Sequence, residues 1–397
     1  MEGQYLEPAR LLTVNERADV IVAGGGIAGI AAALSARRAG AGRVLLIERE
    51  YTLGGLATLG LVTIYLPLCD GRGRQVSFGI AEELLKLSVS HGAEVPIPDA
   101  WLPDGDRNQR VKARYRCQFN AGLFASLAEQ LLLSEGVEIL FGTAVCEIVK
   151  QDKHLEAVIV ENANGRSVYP ANGFVDATGD AVLCRYAGEA TVDFKQGNVL
   201  AAWHYTLENG QMRLCPLGAC DIPDSEKTDE MRKNDRRTRY AGTDARELSR
   251  MMTGGRKLAV DDFLRHGEFS SAHALVTLPT IPQVRMTRRL DNDYNMTLNM
   301  DGRFEPYSVG LISNWKKAGP VYEVPFGAIC ARTENLYTAG RCIAAEEDMW
   351  DVTRVIPCCA VTGEAAGVAA AGRRKCATVQ RILQNRGIPL HIDELND

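Results

Sequence analysis

The chain has 397 residues, 46% of them hydrophobic and 24% charged, with a formal net charge of −5 at pH 7. That length supports a sizeable core, in two domains or in one domain with a large insertion. The mild acidity argues against nucleic-acid or anionic-membrane binding, and no apolar run reaches the length of a membrane span.

Residues 1–17 read as a polar arm. They are too charged for a signal peptide and lack its apolar centre, so a cytoplasmic protein is expected. From Ala18 to Glu50 the sequence is ADVIVAGGGIAGIAAALSARRAGAGRVLLIERE: apolar strand, glycine turn, alanine-rich helix, second strand, acid. Gly24, Gly26 and Gly29 form G-x-G-x-x-G, and Glu48 follows the last glycine by 19 residues. The first glycine permits the tight turn, the second lets backbone approach a pyrophosphate, and the third lets helix and strand pack closely. The helix N-terminus offers N–H groups and a positive dipole end to phosphates, and Glu48 is spaced to accept from ribose hydroxyls. The motif alone is weak. With both strands and the acid in register it points to a dinucleotide, although Glu48 serves NAD as well as FAD.

The loop YTLGGLATLGLVT then brings Gly54, Gly55, Leu56, Ala57 and Thr58 to the carboxyl edge of the predicted sheet. Such a loop either lines a flat ligand with backbone N–H groups or is a flexible surface turn. Helices are predicted over Gly79 to Val95 and Phe119 to Gly136. VEILFGTAVCEIVK reads as a strand pair around Gly142, HLEAVIVEN as a further strand, and Gly173 to Ala177 as a last strand after a turn. A helix followed by an antiparallel meander departs from the regular βαβ order of an NAD dehydrogenase. Beyond residue 190 come alternating stretches, a polar helix from Lys227 to Met252, another from Arg256 to His266, and no second glycine fingerprint. The basic run Arg232 to Arg239 follows an acidic one and reads as a solvated face. Strand-like NLYTAGRCIA, an alanine-glycine helix from Val361 to Gly372 and an amphipathic helix from Ala377 to Arg386 close the chain. The expected fold is α/β: a Rossmann-type domain with an inserted meander, residues 1–190 and 320–397, and a mixed α+β substrate or cap domain, residues 191–319.

The eleven cysteines are scattered with no C-x-x-C, which argues against a zinc ribbon, an iron–sulfur cluster and a redox dithiol. Most are expected to be buried small side chains in a reducing compartment. No metal-ligand spacing is present, and Asp291-Asn292-Asp293 reads as a turn.

With these pieces assembled, the chain resembles the two-domain, glutathione-reductase-like and fumarate-reductase-related FAD-dependent oxidoreductases. The resemblance rests on DVIVAGGGIAG, on LYTAGRCI and RVIPCCAVTGEAAG, and on stretches 18–71, 118–149, 173–181, 281–290 and 321–372. It implies FAD held by Gly24, Gly26, Ala28, Gly29, Glu48, Arg49, Gly54, Gly55, Leu56, Ala57 and Thr58. It further implies contacts from Val145 to adenine, from Thr178-Gly179-Asp180 to adenosine, and from Gly340-Arg341 to the pyrophosphate and ribityl chain. Gly363 and Ala366 are implied on a helix whose N-terminus points at the flavin, where the dipole stabilises negative charge at N1 and O2. Close helix–sheet packing is the other reading of GEAAG. No histidine lies between Glu48 and Asp70, where related flavoproteins carry a covalent link, so a non-covalent flavin is expected.

A flavin enzyme must place its substrate at N5 and handle a proton. Arg285, Arg288 and Arg289 are candidates, as is Arg354 just before the alanine-glycine helix; each either grips an anion or closes an ion pair. Arg288 and Arg354 are the expected catalytic pair. Trp203, His204 and Tyr205 form a possible substrate wall, with His204 either an acid/base or structural. Cys358-Cys359 read as a strained disulfide or as small packed residues. The expected function is hydride transfer between flavin N5 and a small, anionic organic substrate, by a dehydrogenase or reductase. A flavin monooxygenase and an electron-transfer subunit that acts only with partners are the alternatives. A small-molecule substrate and a homo-oligomer are the expected partners, with no nucleic acid and no membrane.

Overall fold

The computed structural model describes residues 6–218, 221–372 and 375–395, so Cys220, expected to be buried, lies outside it. The chain opens with β1 (Thr13–Val14), β2 (Ala18–Ala23), α1 (Ile27–Arg38) and β3 (Val44–Ile47). β2 and β3 are apolar on both faces because both faces are covered, and Val20, Ile21, Val22, Val44 and Leu46 are fully buried. The glycine-rich loop leads to β4 (Ile64–Tyr65), α2 (Ile80–Val89), β5 (Cys117–Gln118) and α3 (Ala121–Ser134). α3 starts where Asn120 accepts a hydrogen bond from the Leu123 N–H, a side-chain cap that fixes its first turn.

β6 (Val137–Leu140), β7 (Ala144–Gln151), β8 (His154–Asn162) and β9 (Gly165–Asp176) complete the large sheet, whose order is β6-β3-β2-β9-β8-β7. Two expectations change here. β6 pairs in parallel with β3 whereas β7 pairs antiparallel with β8, so the strands around Gly142 sit at opposite ends of the sheet. The last strand is also not preceded by a turn, because β9 runs unbroken for 12 residues through Pro170. Its first half completes the antiparallel meander with β8, and its second half joins the parallel sheet beside β2. β9 therefore couples the two, and its end delivers Thr178-Gly179-Asp180 to the carboxyl edge beside the end of β2.

α4 (Val182–Ala187) and β10 (Thr191–Asp193) lead to β11 (Ala202–Glu208) and β12 (Gln211–Leu217), followed by α5 (Asp229–Asn234), α6 (Ala245–Arg265) and β13 (His273–Thr277). β12-β11-β13 form a separate antiparallel sheet on which α6 packs. The predicted helix boundaries shift: residues 235–244 are not helical, and α6 continues through Gly254-Gly255, where a break is expected. A Cβ on Gly255 would lie 3.5 Å from Ala201 O and from the Ala202 Cβ, ordinary contact distances, so α6 passes close over β11 at this point without needing a glycine. The basic run is not simply solvated. Arg237, Arg239 and the buried Lys227 surround Asp221 and Asp235, and despite its burial the Asp221 carboxyl is pulled down to about 2.

β14 (Arg288–Leu290) pairs with β10, and β15 (Ser308–Ser313) with β16 (Val321–Pro325). β17 (Leu336–Thr338) returns to the main sheet against β9, followed by α7 (Glu347–Thr353), α8 (Ile356–Ala370) and α9 (Cys376–Asn385). α8 starts five residues before the expected helix and lies buried along α1. A Cβ on Gly363 would stand 2.3 Å from Ala28 O, and one on Gly367 2.2 Å from Ala32 O, so these glycines set a backbone-to-backbone contact. Among the described residues no single helix is long and apolar enough to cross a membrane.

Candidate functional site

The parallel strands β2, β3, β9 and β17 all end at one edge, and β2 lies between β3 and β9, where strand order reverses. Such a switch point opens a crevice at the carboxyl ends of the strands. A groove occupies it. Gly24 turns the chain out of β2 at φ +101°, and a side chain there would strike the Ala177 carbonyl. Gly26 differs: its φ of −69° suits any residue, and a Cβ on it would meet no atom within 4 Å. The space above Gly26 is thus a cradle that a side chain would fill. α1 begins at Gly26 with no side-chain cap, so its first N–H groups are presented to the groove.

Glu48, 8% exposed, accepts from the Gly25 N–H at 2.5 Å and the Glu50 N–H at 2.9 Å. Burial raises its pKa, and the two backbone hydrogen bonds oppose that rise. Arg49 stands at the rim 3.9 Å from Asp180. Arg341 ties three segments together: Nε donates to Gly179 O at 2.7 Å, Nη1 to Val284 O at 2.8 Å, and Nη2 meets Asp180 at 3.2 Å. Beneath them the buried Asp176 accepts from Thr178 and from the Cys184 N–H, fixing the turn at the end of β9.

At the opposite end, α7 and α8 meet at 88° with Arg354 in the corner. The Arg354 side chain, 8% exposed, donates through Nε to Asp351 at 2.9 Å, and Lys316 pairs with the same carboxylate. Burial would raise Asp351, but Arg354 and Lys316 outweigh it and hold the carboxyl below its ordinary value. This trio carries one net positive charge. Trp315 lies against both cations, with centroid distances of 5.3 Å to Lys316 and 5.9 Å to Arg354. Cys359, in the first turn of α8, donates its thiol to Arg354 O at 3.3 Å, and burial raises its pKa to about 12. Cys358 and Cys359 are free thiols.

Most of the expected cofactor residues come together on this groove: Gly24, Gly26, Ala28, Glu48, Arg49, Gly54, Gly55, Leu56, Ala57, Val145, Thr178, Gly179, Asp180, Gly340 and Arg341 line it. Gly29, Thr58, Gly363 and Ala366 are not among its lining residues. A Cβ on Gly29 would meet Gly24 O at 1.8 Å, so it packs α1 on the turn; Thr58 bonds to Leu53 O; Gly363 and Ala366 lie within the buried length of α8. Arg354 lines the groove, and Arg288 does not, since it closes a 2.7 Å pair with Asp193 across β10 and β14. Arg285 stacks on Trp203 at 5.2 Å and Arg289 on Trp350 at 5.5 Å. His204 is fully buried away from the groove, and Tyr205 bonds to Thr63 at 2.7 Å. Sequence reasoning missed Lys316 and Asp351. The Asp351–Arg354 spacing of three on a helix carried a signal for one pair, but nothing local ties Lys316 to them.

The sequence matches the family described as FAD dependent oxidoreductase over residues 19–241 and 305–386. No curated protein matches it. Among solved structures, the chain is similar to a geranylgeranyl bacteriochlorophyll reductase-like protein from Thermoplasma acidophilum, at 13% identity and TM-score 0.49 over 94% of this chain and 84% of that one. It is similar to the myxobacterial chondrochloren halogenase CndH, at 16% identity and TM-score 0.49 over 94% and 79%. It is also similar to p-nitrophenol 4-monooxygenase PnpA from Pseudomonas putida DLL-E4, at 15% identity and TM-score 0.43 over 94% and 81%.

Proposed function

The chain belongs to the FAD-dependent oxidoreductase family, and from that membership we propose that it oxidises or reduces a small organic anion held at Arg354. FAD is its cofactor. Bound non-covalently, FAD supplies hydride acceptance or donation at N5. The cradle over Gly26 and the N-terminus of α1 suit the pyrophosphate, Glu48 the adenosine ribose, and the first turn of α8, with Ile356 and Cys359 on the groove, the isoalloxazine end. Residues 191–319 serve as the substrate part of the molecule, because Gly242, Leu248, Ile281, Pro282 and Val284 wall the groove opposite the nucleotide sheet.

The observation that carries the anion is the nearly buried Arg354 guanidinium on the groove, with Asp351 and Lys316 beside it. A guanidinium already oriented by Asp351 needs little further ordering, and low local dielectric strengthens its attraction for a carboxylate. Arg354 lines the groove and does not line the neighbouring cavity beside Asp351, so the groove side of Arg354 is the side we assign to the carboxylate. The thiol of Cys359 stays protonated at neutral pH and is left out of proton transfer. The reading is tested by anaerobic titration of the purified flavoprotein with small carboxylates and their neutral amides. Carboxylates are expected to bleach the oxidised flavin, or to reoxidise the reduced one, at concentrations where the amides do neither. Equal responses, or redox change only with a partner protein, overturn it.

A further inference from the structure

The β11–β12–β13 sheet presents two different faces. Odd-numbered Tyr205 reaches Thr63 near the glycine loop, whereas even-numbered Ala202, His204 and Thr206 belong to the face under α6. On that second face His204 of β11 stands directly opposite Cys215 of β12 in the strand register, and Asp262 comes down from α6. One atom from each, an imidazole nitrogen, a thiol sulfur and a carboxylate oxygen, lie within 4.8 Å of one another.

His204 is 0% exposed. Its Nδ1 lies 3.2 Å from Ala202 O, a carbonyl that can only accept, so Nδ1 carries the proton and Nε2 keeps its lone pair. Among the described residues Nε2 has no hydrogen-bond partner, and it faces Asp262 Oδ2 at 3.8 Å, too far for a hydrogen bond. A buried ring nitrogen left with an unused lone pair and aimed at a thiol and a carboxylate is the arrangement of a metal-ligating histidine whose other nitrogen is fixed by a backbone carbonyl. The other two groups are oriented as well. Thr206 Oγ1 lies 3.5 Å from the Cys215 sulfur, and Arg265 lies 3.6 Å from the second oxygen of Asp262.

We propose that His204, Cys215 and Asp262 bind a divalent metal ion, with Zn²⁺ as the ion the nitrogen, sulfur and oxygen donor set selects. Nothing local in the sequence announces it, because the ligands come from three elements and have no fixed spacing. Cys215 and Asp262 are only partly buried, which leaves a route for the ion and a fourth position for water. Binding displaces a proton from the Cys215 thiol to solvent, and no electron is transferred. The site faces away from the flavin groove, so its role is to clamp α6 to the hairpin. Leu248, in the first turn of α6, walls the groove, and Asp262 sits roughly 21 Å further along the helix at ~1.5 Å per residue. The ion thus anchors the far end of the helix whose near end touches the cofactor space.

The test uses the full-length, flavin-loaded protein, freed of metal by chelator and titrated with Zn²⁺ or Co²⁺ alone. One equivalent is expected to bind and to raise the unfolding temperature. Co²⁺ is expected to show the visible bands of a four-coordinate site, to the red of flavin absorption, together with a thiolate charge-transfer band. Cys215→Ser is expected to lose the charge-transfer band and to weaken binding at least about tenfold, and Asp262→Asn to weaken it while keeping that band. Both variants leave the core intact, so flavin content reports that they are folded. A folded, yellow wild-type protein that takes up no metal overturns the proposal, as does equal metal uptake by the wild type and the double variant.

Discussion

The two ends of the groove are made differently. The end near Gly24 to Gly29 is backbone: a turn, free N–H groups of one helix, and a single acid, all within one contiguous stretch. The end near Arg354 is side chains, with Lys316 brought from a separate part of the chain to the Asp351–Arg354 pair at the end of α7. A backbone site tolerates any sequence that folds the same way but no side chain in the ligand's space. A side-chain site is sensitive to each charged atom and indifferent to the glycines. The sharpest contrast is between Gly26, above which space is open, and Gly367, which is pressed on Ala32.

Gly26→Val is expected to have the largest effect on the cofactor. Its Cβ strikes no protein atom, so the protein folds, while FAD affinity falls by roughly a thousandfold or more (~4 kcal/mol). Flavin absorbance after gel filtration and the unfolding temperature of the apoprotein check both halves, and a folded variant that purifies fully yellow breaks the backbone-cradle reading. Gly367→Val is expected to do the reverse. Forcing α8 off α1 costs about 3 kcal/mol or more, lowering the midpoint in urea, with flavin lost only as the protein unfolds. If FAD dissociates from a variant of unchanged stability, the glycine serves the ligand and not the packing.

At the side-chain end, Arg354→Ala is expected to lower kcat/KM for the carboxylate substrate by roughly 10–100-fold, the size of a lost charge-assisted hydrogen bond (about 1.5–3 kcal/mol). FAD content stays intact, and Arg288→Ala changes kcat/KM by less than about threefold because it removes only a partly exposed pair. Steady-state kinetics on both variants distinguish the two arginines, and equal losses dissolve the distinction. The smallest effect concerns Cys359. With its pKa pushed up to about 12, its thiolate fraction near pH 8 is about one part in ten thousand and rises about tenfold per pH unit. Peptide mapping after alkylation of the apoprotein is expected to show Cys359 nearly unlabelled at pH 8 and increasingly labelled towards pH 10. Rapid labelling at pH 8 would mean that Arg354 lowers the thiol more than burial raises it.

The nucleotide end was legible because its information is local. Gly24, Gly26, Gly29 and Glu48 act through the path of one strand–turn–helix–strand unit, and the periodicity of that unit is written in consecutive residues. The antiparallel meander was legible for the same reason. What failed was whatever depends on long-range pairing. The residues flanking Gly142 carry no mark saying that β6 belongs beside β3 and β7 beside β8. Gly254-Gly255 look like a helix stop until α6 is found running through them, and GEAAG reads as a flavin-facing helix or as close packing until Gly363 is found on the Ala28 carbonyl.

The sequence by itself determined the fold class, the cofactor family and the strand edge at which the groove opens, because alternation of apolar residues and the spacing of glycines dictate backbone geometry directly. Only the tertiary structure decided which charges meet. Arg288, in the most suggestive arginine cluster, and Arg354 are both candidates on paper. Strand pairing gives Arg288 to Asp193, and the bend between α7 and α8 gives Arg354, paired with Asp351, to the groove. Likewise His204, Cys215 and Asp262 are unrelated until β11, β12 and α6 are packed. Electrostatic and ligand contacts act over a few ångströms in space, and separation along the chain says nothing of that distance until the backbone has been folded.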